Sequence, residues 1–115
     1  MKKIYYLKTC DTCKRIMSQL NPEGVEIQEI KTVPVTAVQL QEMYQHTNSY
    51  EALFNKRAKL YREQGLKDKN LSEQEYQELI LSEYTFLKRP VAIIENEIFV
   101  GNSKKVVENL IQKLL

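Results

Sequence analysis

Strand patterning is confined to the two ends of this chain, and that placement limits the folds open to it. At the start, "KIYYLK" (Lys3 to Lys8) carries Ile4, Tyr5, Tyr6 and Leu7, a β-branched and aromatic run that reads as a buried strand. From Asp11 the period changes. Ile16, Met17 and Leu20 recur at helical spacing, and "NPEG" (Asn21 to Gly24) stops the helix. "VEIQEI" (Val25 to Ile30) then alternates as a half-buried strand. The chain therefore opens β-α-β. Near the other end, "PVAIIE" (Pro90 to Glu95) is a buried-strand run. Asn96–Glu97 is expected to turn the chain and Ile98 to Val100 to return it. Gly101 and Asn102 break that strand, and Ser103 is placed to cap a last helix. Val106, Val107, Leu110, Ile111, Leu114 and Leu115 make an apolar stripe along that helix.

The stretch between carries only helical signals. Thr36 with Gln39 is a capping-box pattern ahead of Leu40, Met43 and Tyr44, and Ser72 with Glu75 is another ahead of Tyr76, Leu79, Ile80 and Tyr84. Asn48 with Glu51 predicts the start of a short helix through Leu53 and Phe54. Asn55 is expected to cap a further helix, which Gly65 ends. The order β-α-β, helices, β-β-α predicts one α/β domain over residues 1–115, with a helical insertion at about 36–85.

At 115 residues the chain has the size of one ordinary domain. Its 43% apolar and 28% charged content is that of a globular protein rather than a disordered or fibrous one. A net charge of +2 gives no electrostatic case for direct nucleic-acid binding. The apolar run after Lys3 is too short for a signal peptide or a membrane span, so a cytoplasmic protein is expected. A persistent structural disulfide is disfavoured in that reducing setting.

Both cysteines lie in "LKTCDTCKR" (Leu7 to Arg15). Cys10 falls where the first strand gives way to the first helix, where unpaired backbone N–H groups favour a thiolate. Lys8, Lys14 and Arg15 add positive potential, which Asp11 partly opposes. Cys13 stands one helical turn on, a spacing compatible with a bond to Cys10. An accessible attacking thiol with a second thiol to resolve it is the design of a dithiol redox centre. Two other readings are open. A closed metal site needs about four ligands, and only His46 remains as a further soft donor, so no metal is expected. Two idle buried thiols are the plain alternative, because C-x-x-C is a short motif. His46, Tyr44 and Tyr84 are assigned to packing or surface. Arg89–Pro90 is the second feature: a proline is permitted at the first position of a strand, and Arg89 sits in a run with Lys88.

"CDTC" at Cys10 to Cys13, "NKRAKLYREQGL" at Asn55 to Leu66, "FLKRPVAI" at Phe86 to Ile93 and "VGNSKKVVENL" at Val100 to Leu110 together resemble the glutaredoxin-like arsenate reductase family, which includes the Spx-type regulators. The resemblance runs over nearly the whole chain. It implies a thioredoxin/glutaredoxin-like mixed sheet of about four strands, with the helical insertion between strands 2 and 3. It also implies that Pro90 is the cis-proline that shapes the site. In the reductases, the cysteine matching Cys10 attacks the oxyanion, and arginines matching Arg57 and Arg89 help hold it. An external reductant, glutathione with glutaredoxin or thioredoxin, would complete turnover.

Cys10 is thus expected to attack and Cys13 to resolve. Arg57, Arg89 and Lys14 are expected to stabilise thiolate or substrate, with Pro90 structural at the site. The chain departs from the reductase pattern at Tyr6 and Leu7, where those enzymes carry histidine and asparagine. It also has no arginine after Arg89, only Lys104, Lys105 and Lys113, and lysine does not reproduce bidentate oxyanion binding. Cys13 is instead what the Spx-type proteins show. For them the resemblance implies a redox-switched contact with the RNA polymerase α subunit, although Ser49 stands where they carry a glycine. The partners expected are a small thiol or redox protein or, in the alternative, that polymerase subunit. The chain is expected to act as a monomer, with no membrane contact.

Overall fold

A computed structural model describes all residues from Met1 to Leu115. Its regular elements are β1 (Lys2–Tyr6), α1 (Asp11–Ser18), β2 (Glu26–Glu29), α2 (Ala37–Thr47), α3 (Lys59–Glu63), α4 (Glu73–Ser82), β3 (Val91–Ile94), β4 (Glu97–Val100) and α5 (Lys104–Lys113). Short 3-10 turns lie at Glu51–Leu53, Leu66–Asp68 and Tyr84–Phe86. No helix is long and apolar enough to cross a membrane. The chain divides into two compact units. One joins residues 1–34 to 89–115, and the other is the continuous segment 35–88.

The first unit is a mixed four-stranded sheet in the order β2-β1-β3-β4. β1 runs parallel to β2, with Ile4 beside Ile27 and Tyr6 beside Glu29. β3 runs antiparallel to both of its neighbours, with Ala92 opposite Ile4 on one side and Phe99 on the other. This register puts Ile4, Ala92, Ile94 and Phe99 on one face. Ile16 and Leu20 from α1 and the loop after it, with Leu110 of α5 and Leu114, close over that face as a single buried cluster. Within the predicted stripe of the last helix, Leu115 alone does not pack. It lies beyond the last turn and is 84% exposed. Asn21 ties the two helix ends together, its side-chain amide donating to the Leu114 carbonyl at 3.1 Å. Gly24, with φ of 72°, turns the chain into β2. Nothing crowds the place its Cβ would take, so the positive φ is what calls for glycine.

The hairpin between β3 and β4 turns one residue earlier than the sequence suggests. Ile94 pairs with Glu97, so Glu95 and Asn96 form the loop. Glu95 takes a φ of 55°, which is costly outside glycine. Its N–H donates to the Met1 carbonyl at 2.7 Å, and its carboxylate pairs with the Met1 ammonium at 3.1 Å. These two links hold a turn that local propensity does not favour.

In the second unit both capping boxes form as read: Thr36 and Gln39 at the start of α2, Ser72 and Glu75 at the start of α4. Two other starts shift. Asn48 does not begin a helix. It ends α2 in the left-handed region at φ 55°, a role asparagine shares with glycine. Asn55 does bond forward, accepting from the Arg57 N–H at 3.1 Å, but α3 begins only at Lys59, with Ala58 at its N-cap. Phe54 lies at the centre of the packing here. Its ring stacks on Phe86 at 5.1 Å and meets the edges of Tyr61 at 5.6 Å and Tyr76 at 5.0 Å.

Candidate dithiol site

Cys10 occupies the N-cap of α1 with extended backbone (φ −91°, ψ 115°). It arrives there through a tight turn out of β1, in which the Cys10 N–H donates to the Leu7 carbonyl at 3.2 Å. Its own carbonyl accepts the Lys14 N–H at 3.0 Å, so Cys10 already belongs to the helix ladder. An N-cap is usually serine, threonine, aspartate or asparagine, whose oxygen satisfies the free N–H groups of the first turn. Here a cysteine holds that position, and its side chain makes no capping hydrogen bond. The first-turn N–H groups of Thr12 and Cys13 favour its thiolate instead.

Both cysteines are free; Cys10 is half-buried and Cys13 is fully buried (0% exposed). Burial is the largest influence on Cys10 and works against its thiolate. It is outweighed by the Cys13 N–H and thiol, the positive charge of Arg89 and the Thr12 N–H. The net result is a Cys10 pKa held below the ordinary 9.0. Cys13 moves the other way. Burial, reinforced by the neighbouring Cys10 charge and hydrogen bond, pushes it up to about 11. The Leu7 N–H and Arg89 pull against that rise without cancelling it. At neutral pH the inner thiol therefore stays protonated and donates to the outer sulfur. This is the asymmetry that an attacker and its resolver need.

Arg89 immediately precedes Pro90, and the Arg89–Pro90 peptide bond is cis. Pro90 is buried, and its carbonyl accepts the Gly101 N–H at 2.9 Å, which extends the β3–β4 ladder by one bond. Cys10, Cys13, Arg89 and Pro90 all belong to the sheet unit, and Arg89 acts electrostatically on both thiols. Lys14 is exposed in the first turn of α1. Arg57 belongs to the helical unit, exposed in the turn between Asn55 and Ala58. No group of three or more His, Cys, Asp or Glu side chains is arranged to hold a metal ion.

Two features of the site were not read from the sequence. One is Leu7, whose carbonyl accepts the Cys10 N–H and whose own N–H favours the Cys13 thiolate. The other is Glu29, at the end of β2. Its carboxylate accepts the Lys8 N–H at 2.9 Å and the Thr32 N–H at 2.7 Å. Burial opposes the Glu29 charge most, but these N–H donors, the Thr32 hydroxyl and the Lys31 N–H hold its pKa below the ordinary 4.5.

The sheet order, the cysteine pair at the start of α1 and the cis-proline before β3 define a thioredoxin-like protein. The sequence profile of the ArsC family matches residues 5–110, and the chain belongs to that family. It is similar to the uncharacterized protein YusI of Bacillus subtilis (strain 168), with 31% identity over 102 residues, covering 84% of this chain and 86% of YusI. Among solved structures, a possible arsenate reductase from Streptococcus mutans UA159 is 28% identical with a TM-score of 0.76, covering 96% of this chain and 97% of its own. The YFFB (PA3664) protein shares the fold at a TM-score of 0.80 and 20% identity, covering 96% and 99% of the two chains.

Proposed function

We propose that this ArsC-family protein is a thiol–disulfide oxidoreductase in which Cys10 attacks and Cys13 resolves. The observation that carries the reading is the polarity of the pair. A half-buried cysteine sits at a helix start, and the fully buried Cys13 one turn on favours its thiolate through its backbone N–H and its thiol. The Cys10 thiolate attacks one sulfur of a substrate disulfide, forms a mixed disulfide, and expels the other sulfur as a thiolate that takes a proton from water. Cys13 then gives up its proton and attacks the Cys10 sulfur. The Cys10–Cys13 disulfide forms and the second substrate thiol leaves. The substrate gains two electrons and the pair loses two. An external thiol, either glutathione with glutaredoxin or thioredoxin, returns the pair to its reduced state. A cytoplasmic setting goes with this reading, because a reducing thiol pool is what sustains the cycle.

Reduction of an arsenate-like oxyanion is the narrower form of the same proposal. Arg89 and Arg57 would then supply guanidinium charge to the oxyanion, and Lys14 a point charge near the thiolate. A second reading draws support from Arg89 acting on both thiols. Disulfide formation removes the anion that Arg89 faces, so the arginine could report the redox state to a partner such as the RNA polymerase α subunit.

One experiment separates these readings. The reduced protein is given a model disulfide, or arsenate, with a glutaredoxin or thioredoxin system, and reductant consumption is followed. Turnover that disappears in Cys10→Ser and stalls at a mixed disulfide in Cys13→Ser supports the oxidoreductase. Absence of turnover, with capture of the polymerase subunit by one redox state only, overturns it in favour of the regulator.

A further inference from the structure

We propose that Glu29 is a positioning residue of the dithiol site: its carboxylate fixes the Leu7–Lys8 peptide and so sets how the Cys10 and Cys13 sulfurs meet. The inference rests on the oxidoreductase reading and adds to it a residue remote in sequence from both thiols. The geometry is a short chain of bonds. β2 lies parallel to β1, and Glu29 is the register partner of Tyr6. One residue on, the Ile30 N–H donates to the Tyr6 carbonyl at 2.9 Å, the last backbone bond between the two strand ends. Beyond that point β1 leaves the sheet, and the Lys8 N–H has no strand partner. The Glu29 carboxylate supplies one at 2.9 Å. Its other oxygen takes the Thr32 N–H at 2.7 Å, and its carbonyl takes the Val33 N–H at 2.9 Å. The side chain is therefore anchored by its own loop while it holds the cysteine loop.

The peptide pinned in this way carries the carbonyl that seats Cys10 at the start of α1. The Leu7 carbonyl accepts the Cys10 N–H at 3.2 Å, and the Leu7 N–H, on the peptide just before, favours the Cys13 thiolate. Releasing Lys8 lets the Leu7–Cys10 turn drift relative to α1, and with it the Cys10 sulfur relative to the Cys13 and Thr12 groups that favour its thiolate. A carboxylate is suited to this task because two backbone donors converge on it. Glutamine offers one acceptor oxygen and would turn a donor toward the second N–H. Charge-assisted bonds of this kind are also the stronger ones.

The test compares wild type with Glu29→Gln and Glu29→Ala. The Cys10 pKa is read from thiolate ultraviolet absorbance, and the Cys10–Cys13 disulfide equilibrium is read against glutathione. The proposal expects the Cys10 thiolate fraction at neutral pH to fall about threefold or more in Glu29→Ala and less in Glu29→Gln, with the disulfide equilibrium shifting in the same order. If both variants fold, lose global stability, and keep the wild-type Cys10 pKa and disulfide equilibrium, Glu29 is structural only and the proposal is overturned. Should the alanine variant not fold, Glu29→Gln and amide exchange of Lys8 in the native protein decide. Slow Lys8 exchange that becomes fast in Glu29→Gln together with a raised Cys10 pKa supports the proposal; fast exchange in wild type overturns it. An ordinary Cys10 pKa in wild type itself is a different failure, that of the oxidoreductase reading.

Discussion

Replacing Cys13 with alanine removes the thiol that donates to Cys10 but keeps the backbone N–H at the same place. Replacing it with serine keeps a donor and changes the atom. A hydrogen bond to a charged group contributes about 1.5–3 kcal/mol, and S–H is a weak donor, so the low end of that range applies. Roughly 1.4 kcal/mol corresponds to about one pKa unit. In Cys13→Ala the Cys10 pKa should therefore rise by about one unit, and below the pKa the thiolate fraction falls about tenfold. The remaining thiolate is the more basic and so the better nucleophile. With a Brønsted coefficient of about 0.5 it recovers about threefold, leaving a net loss of about threefold in alkylation rate. The assay is iodoacetamide alkylation of Cys10 followed by mass spectrometry across pH, with the inflection giving the pKa and the plateau the intrinsic reactivity. Serine should hold the inflection at or below the wild-type value, since a hydroxyl is the better donor. An inflection unmoved in the alanine variant would show that the inner thiol does not stabilise the outer one. So would a serine variant that shifts upward as far as alanine, because the shift would then come from the lost sulfur's volume.

Four further outcomes follow from the same geometry. Arg89→Met should raise the Cys10 pKa by less than the loss of Cys13's bonds does, and Arg89→Lys should restore part of it, in the same alkylation profile; equal curves for all three proteins would remove Arg89 from the site. Burial places the Cys13 pKa at about 11 against an ordinary 9.0, so folding stability should be intact below pH 9 and eroded as pH rises toward 11, at about 1.4 kcal/mol per unit. Cys10, with its lowered pKa, works in the opposite sense and only below its ordinary 9.0, so urea midpoints of wild type and Cys13→Ser compared above pH 9 isolate Cys13, and parallel declines would contradict the assignment. Phe54→Ala should cost about 3–5 kcal/mol in urea unfolding, because the ring is 1% exposed and touches three others; a cost under about 1 kcal/mol would mean that this cluster does not hold the helical unit. Thr36→Ala and Ser72→Ala should each cost about 1 kcal/mol, and glycine at either position less, as expected for lost caps rather than lost packing.

What the sequence could disclose depends on how local the responsible physics is. The two capping boxes were legible because both bonds of each lie within four residues. The strands were legible because alternation and apolar runs are also local. Asn48 misled because asparagine serves either end of a helix, and only the backbone φ of 55° decides for the C-terminal end. The β3–β4 turn misled for a different reason. Glu95 tolerates its positive φ through bonds to Met1, 94 residues away, which no window around the turn contains. The site divides along the same line. Cys10 and Cys13 share one helical turn and announce themselves, and Arg89–Pro90 is marked by the proline. Glu29 is an ordinary acidic residue in an alternating strand until the parallel register sets it beside Tyr6, where the next unpaired N–H of β1 comes within reach. The opposed behaviour of the two thiols is hidden in the same way. Composition gives both the same chemistry, and the difference arises because the N-cap keeps Cys10 at the surface while one turn of α1 carries Cys13 into the protein, where the Leu7 N–H partly offsets its burial. The polarity of the pair is thus a property of the strand-to-helix junction, and residues that set the junction, Glu29 first among them, should tune the thiols as strongly as charges placed near the sulfur.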